Sequence, residues 1–236
     1  MRHHVTTSDH VRTAPAAGAV RVPDRPVRAA KPVLRGWSHF VCFEASLVIG
    51  TLVVSAAAGA LRITAAAIYA ASVSAMFGTS ALYHLGQWKP AVHRALQSAD
   101  HATISLLIAG TATPIYLLAA PRVFGVVCLI VLWSLTVGSI GLHVAWPTRH
   151  ERLRVGIYLA MGWTACLALP ALWTHGGVAS ALLVAAGGLL YTVGALVYHR
   201  RRPDPRPEVF GYHEVFHTYV CLAAACQYVA LAVFVL

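Results

Sequence analysis

The string Tyr212-His213-Glu214-Val215-Phe216-His217 opens an apolar run that continues to Leu236. Histidines at i and i+4 stack on one face of a helix, about 6 Å apart. Two imidazoles so placed can hold one metal ion, and catalytic zinc commonly has three protein ligands and a fourth position left for water. The same string fits H-E-x-x-H, in which the glutamate of soluble metalloproteases is the general base. Glu214 can equally be a bystander that favours the positive end of a helix dipole. His84 ends another apolar run and is the best candidate for a third ligand. Ser80 falls one turn away on the same helix face. Asp100 begins the next run, where a carboxylate could hold or deprotonate a water acidified by zinc. Each residue alone has a plainer reading. The histidines can bond carbonyls or lipid headgroups, Asp100 can be a helix N-terminal charge, and Ser80 can bond the carbonyl four residues back. The case for a site is that three separate runs bring such groups to one depth.

The elements that must carry these residues are written in the composition. Of 236 residues, 58% are hydrophobic and only 11% are charged, less than half the charged share of an ordinary soluble domain, about 25%. Mean hydropathy is +0.66. Seven apolar stretches follow one another, at 38–59, 63–84, 100–120, 123–146, 155–173, 177–198 and 213–236. Each has about 19–24 residues, enough for a helix to cross a hydrocarbon core of ~30 Å. The backbone must satisfy itself in lipid, so these runs predict helices. The expected fold is an all-α integral membrane protein: a seven-helix domain over 37–236, behind a basic, disordered cytoplasmic tail over 1–36. Gly110-Thr111-Ala112-Thr113-Pro114 predicts a kink, with threonines to satisfy freed carbonyls. Gly187, Gly188 and Gly194 predict close helix packing.

Charge sets the orientation. With the N-terminus cytoplasmic and the C-terminus outside, 16 of the 18 Lys and Arg residues fall on the cytoplasmic side, and only Arg62 and Arg122 on the other. That asymmetry follows the positive-inside rule for a multi-pass protein of a plasma (inner) membrane. It also accounts for the net charge of +10 without nucleic acid, since the basic residues face anionic lipid. On this map Ser80, His84, Asp100, His213, Glu214 and His217 all lie in the cytoplasmic leaflet. His39, His93, His101, His143, His150 and His199 lie near the same face and are read as interfacial. The five cysteines sit in apolar stretches without a C-x-x-C spacing, and are read as small apolar fillers. The only lysines, Lys31 and Lys89, fall outside the apolar stretches, which argues against a retinal Schiff base.

Several strings carry a resemblance as well: "LRGWSHF" at 34–40, "SALYH" at 80–84, "ADH" at 99–101, "IAGTATPIY" at 108–116, "IYLAMGW" at 157–163 and "YHEVFH" at 212–217. In order and spacing they resemble the haemolysin III family, which is related to the progestin and adipoQ receptors and more distantly to the alkaline ceramidases. The family more often has an aromatic in place of Ala112. The resemblance implies a seven-helix bundle with Zn2+ held near the cytoplasmic side by His84, His213 and His217. It implies Asp100 as the residue that holds the zinc's water, Ser80 as a nearby site residue, and Glu214 as incidental.

Two classes of function are expected from this. The first is a zinc-dependent hydrolase acting on amide or ester bonds of a membrane lipid, with Asp100 as general base and Ser80 positioning water or the developing oxyanion. The second is non-catalytic: a pore-forming cytolysin, or a receptor or regulator of membrane lipid composition, with structural zinc. No continuous polar face crosses the bilayer, which weighs against an aqueous pore through one chain.

Overall fold

The computed structural model describes residues 31–145 and 151–236. Most of the expected basic tail, with His3, His4 and His10, and the connection holding Arg149 and His150 lie outside them. Among the described residues the protein is all-helical: α1 (Trp37–Ala56), α2 (Ala60–Leu85), α3 (Pro90–Pro114), α4 (Arg122–Ala145), α5 (Glu151–Trp163), α6 (Leu169–Arg200) and α7 (Tyr212–Phe234). A π-helical turn at Ile115–Ala119 prolongs α3, and a 3-10 turn at Thr164–Ala168 joins α5 to α6.

Six helical stretches among the described residues are long and apolar enough to cross a membrane. They are Trp37–Ala56, Ala60–Leu85, Pro90–Ala119, Arg122–His143, Leu153–Arg200 and Tyr212–Phe234. The fifth has 48 residues, about 72 Å if straight at ~1.5 Å per residue. It is not straight. At Gly177 the backbone leaves the helix with φ 76° and ψ 178°, a conformation open essentially to glycine alone. Beyond it, the Ser180 hydroxyl lies 2.9 Å from the Leu172 carbonyl oxygen, whereas eight residues of unbroken helix span about 12 Å. The chain therefore turns back on itself beside Thr174-His175-Gly176, the polar gap in the sequence between 173 and 177.

The helices show apolar side chains outward as well as inward. Leu47, Val48, Val123, Val137, Leu182 and Val233 are all exposed. In water such a surface would be an association site; in a bilayer it is the solvent-facing surface. Inside, Ile115, Tyr116, Leu132, Met161, Leu172 and Leu231 form the main apolar core. A smaller cluster of Met76, Phe77, Leu107, Val220 and Ala224 lies nearer the histidines. Packing is most extensive between α6 and α7, α2 and α3, and α1 and α2. Glycine permits part of it: a Cβ on Gly187 would fall 3.2 Å from the Ala223 carbonyl oxygen and one on Gly194 3.0 Å from the Tyr219 Cβ. Gly188 meets nothing and faces a cavity instead.

One local expectation needs revision. α3 begins at Pro90 and not near 100; proline at N1 loses no helical hydrogen bond. Its first turns are amphipathic, so hydropathy alone starts the helix too late. Asp100 consequently lies ten residues inside α3 and is not a helix N-terminal charge. Where Gly110–Pro114 predicted a kink, a π-helical turn follows Pro114 directly. The Thr113 hydroxyl donates to the Ala109 carbonyl at 2.7 Å, and the Tyr116 hydroxyl donates to the Thr164 carbonyl at 2.6 Å, tying this turn to the 3-10 turn.

Candidate metal centre

α7 starts where it does because two carboxylates cap it. Asp204 Oδ1 accepts the Tyr212 N–H at 2.8 Å, and Glu214 Oε2 accepts the Gly211 N–H at 2.8 Å. These acceptors satisfy amides that a helix start leaves open. Glu214 is 2% exposed and its second oxygen pairs with Arg35 Nε. It therefore stands at the helix N-terminus, as its bystander reading has it, outside the converging ligand set, and it is the clamp that fixes the start of α7. The segment carrying Arg35 runs along the α6–α7 connection, with Val33 and Leu34 amides donating to the Glu208 and Val209 carbonyls at 3.0 and 3.1 Å. Gly36, with φ 87°, then presses on α2: a Cβ there would stand 2.7 Å from the His84 Cβ. Nothing in the spacing of the sequence pointed to Arg35 or Gly36.

Within this frame His84 from the last turn of α2 and His213 and His217 from the first turns of α7 converge. Their ligand atoms lie within 4.8 Å of one another. The Nε2 atoms of His84 and His213 are 3.3 Å apart. Two nitrogens each ~2.0–2.1 Å from one tetrahedral zinc would stand roughly 3.3 Å apart, so this pair has the spacing of shared coordination. Three neutral imidazoles are also a donor set that suits zinc. The residues present thus fit the ion that the resemblance implied.

Asp100 Oδ2 lies 3.8 Å from His84 Nε2, and buried Ser80 lies beside the Asp100 carboxyl. All five sequence-nominated residues are therefore in one place. His39 and His143, expected at the interface, are instead buried at 3% and 0% exposure. His39 stacks on His217, and His143 bonds away from the cluster.

Two cavities meet at this point. One of about 520 Å³ is walled mainly by apolar residues of α3, α5, the 3-10 turn, α6 and α7, and reaches Ser80, Asp100, His213 and His217. The other, about 340 Å³, is polar and includes Lys31, Gln87, His93 and His84. Gln97, Asp100, His101, Tyr198 and His213 line both. Lys31 at the outer rim has its pKa lowered, by burial first and then by the neighbouring Arg35 charge. The arrangement can bring an apolar chain and water to the same carboxylate from opposite sides.

Comparison with known proteins finds relatives over most of the chain. A family described as haemolysin-III related matches residues 27–228. Hemolysin-3 of Bacillus cereus is 28% identical over 177 residues, covering 75% of this chain and 78% of that protein. The Hemolysin-3 homolog of Bacillus subtilis is 31% identical over 133 residues, 56% of this chain and 60% of the relative. The heptahelical transmembrane protein ADIPOR2 of Oryza sativa subsp. japonica is 36% identical over 149 residues, 57% of this chain and 65% of its own length.

Proposed function

The chain belongs to the haemolysin-III-related family, and from that premise we propose that it is a seven-helix, zinc-dependent hydrolase of lipid amide or ester bonds in a plasma membrane. The observation that carries this reading is the convergence of His84, His213 and His217 beside Asp100 at the end of an apolar cavity. The doubling back at Gly177 divides the 48-residue stretch into two crossings, which supports seven; one relative is itself named heptahelical. The distribution of Lys and Arg supports a cytoplasmic N-terminus and an outer C-terminus.

His84, His213 and His217 would hold the ion. Zinc supplies Lewis acidity, polarising a carbonyl and making water easier to deprotonate. Asp100 accepts the proton of the attacking water and passes it to the leaving group. Ser80 donates to Asp100 and keeps its carboxylate turned toward the histidines. The apolar cavity takes an acyl chain and keeps bulk water away, while the polar chamber delivers the one water needed. The test is zinc content and lipid-amide turnover of the purified protein and of Asp100→Asn. The expected variant keeps its zinc and loses turnover by about 10²–10⁴, the usual worth of a general base. A zinc-loaded variant of normal activity would remove Asp100 from this role.

A second reading has one observation in its favour. Asp100, 3.8 Å from His84, could close the site as a fourth ligand, and closed sites are structural. The protein would then be a cytolysin, receptor or regulator of membrane lipid. Asp100→Asn would then lose zinc, and liposome leakage dependent on the histidines would identify the cytolysin.

A further inference from the structure

α1 faces outward for most of its length: of its 20 residues only His39 and Val53 are buried. Burying a polar ring without good hydrogen bonds costs free energy, and neither ring nitrogen of His39 makes a well-formed hydrogen bond, although the ring lies close to the His217 backbone. What the ring touches instead is specific. It lies flat on His217, with centroids 3.7 Å apart and planes 9° from parallel. Phe77 meets its other surroundings edge-on, 5.1 Å away at 80°. The other ring neighbours of His217 are steep: His84 at 63°, His213 at 64° and Phe216 at 57°. Among the ring contacts of His217, only that with His39 is face to face.

Two like rings face to face are not the arrangement that aromatic quadrupoles prefer. The same stack becomes attractive when one ring carries positive charge, as a cation does over a π face. An imidazole that shares the charge of a coordinated ion is such a ring. Resting on the metal reading above, we infer that His39 is a positioning residue for the centre: it fixes the rotation of His217 and favours that ring in its metal-bound state. His39 is not a fourth ligand. An imidazole ligates in its own plane, and an ion in the plane of His217 stands well out of the parallel plane of His39. His39 is also absent from the set whose ligand atoms converge.

The experiment measures zinc affinity of the full chain in nanodiscs against a competing chelator, for the wild type, His39→Phe, His39→Leu and His39→Ala. Phe keeps a π face, Leu keeps bulk only, and Ala keeps neither. Phe is expected within about threefold of wild type, and Leu and Ala weaker by about tenfold or more, the range of outer-shell substitutions. In metal-free protein with labelled histidines, the ring-current shift of the His217 proton resonances should survive in Phe and vanish in Leu. Leu binding as tightly as wild type would reduce His39 to filler and overturn the inference. Phe binding as weakly as Ala would overturn it too, because the His39 nitrogens would then matter. Failure of the metal reading shows instead in the wild type: folded protein that takes up no zinc ends both.

Discussion

Around His143 the ring nitrogens are spoken for; around His217 the rings turn toward one another. The His143 Nδ1–H donates to the Ser139 carbonyl at 2.7 Å, and its Nε2 lies 2.7 Å from the Tyr158 hydroxyl. That hydroxyl also reaches the His101 carbonyl oxygen at 2.8 Å. Ser98, two residues before Asp100, reaches the His143 carbonyl oxygen at 3.1 Å. These bonds join α3, α4 and α5 and leave His143 no donor atom for a ligand. The other group offers His84 and His213 nitrogens 3.3 Å apart and a His217 whose Nδ1 has no partner. Both groups consist of histidines at helix ends in an apolar chain. What separates a candidate binding site from a structural joint is therefore the use already made of each lone pair and proton, not the residue type.

The largest contrast is in metal uptake. His84→Ala, His213→Ala and His217→Ala should each abolish zinc binding, an effect beyond the ~100-fold reached by outer-shell changes. His143→Ala should keep one zinc per chain and lose about 1–3 kcal/mol of stability for the groups it leaves unpaired. Mass-spectrometric metal content beside a thermal melt reads both, and loss of zinc from folded His143→Ala would erase the distinction. Next in size is the clamp. Glu214→Leu strands Arg35 and should destabilise the fold by about 3 kcal/mol, measured by denaturation in detergent, with zinc binding retained once folded. Should zinc vanish while stability holds, Glu214 belongs to the centre and not to its frame. Gly36→Ala introduces a Cβ at positive φ against His84 and should cost about 1–3 kcal/mol and weaken zinc binding as His84 shifts; an unaltered affinity would show that His84 is not held from that side. The smallest effect is expected of Tyr158→Phe, about 1–2 kcal/mol for the two contacts its hydroxyl makes, with zinc content unchanged.

The chain announces much of this. Its apolar runs mark the helices, and His84, Asp100, His213 and His217 declare themselves because ionisable groups are rare in such runs. The polar gap at Thr174–Gly176 marks the reversal. Other features were hidden for physical reasons. The role of Glu214 depends on a partner 179 positions away, and Arg35 reads as one basic residue among many. His39 and His143 have the same local context as truly interfacial histidines, and helix rotation alone decides that one stacks and the other bonds. The early start of α3 was masked because amphipathic turns average to low hydropathy.

The ligand set and the wall of the apolar cavity belong to different parts of the bundle. Two helices, α2 and α7, carry all three histidines, with α1 braced against them. Much of the facing wall is supplied by α5 and the 3-10 turn, through residues such as Leu159, Met161 and Ala165. If the cavity takes an acyl chain as proposed, substitutions in that wall would change which chain is admitted while the histidines stay where they are. On the proposed reading, a lineage built on this plan would diversify its choice of lipid through α5 and the 3-10 turn, leaving the histidines untouched.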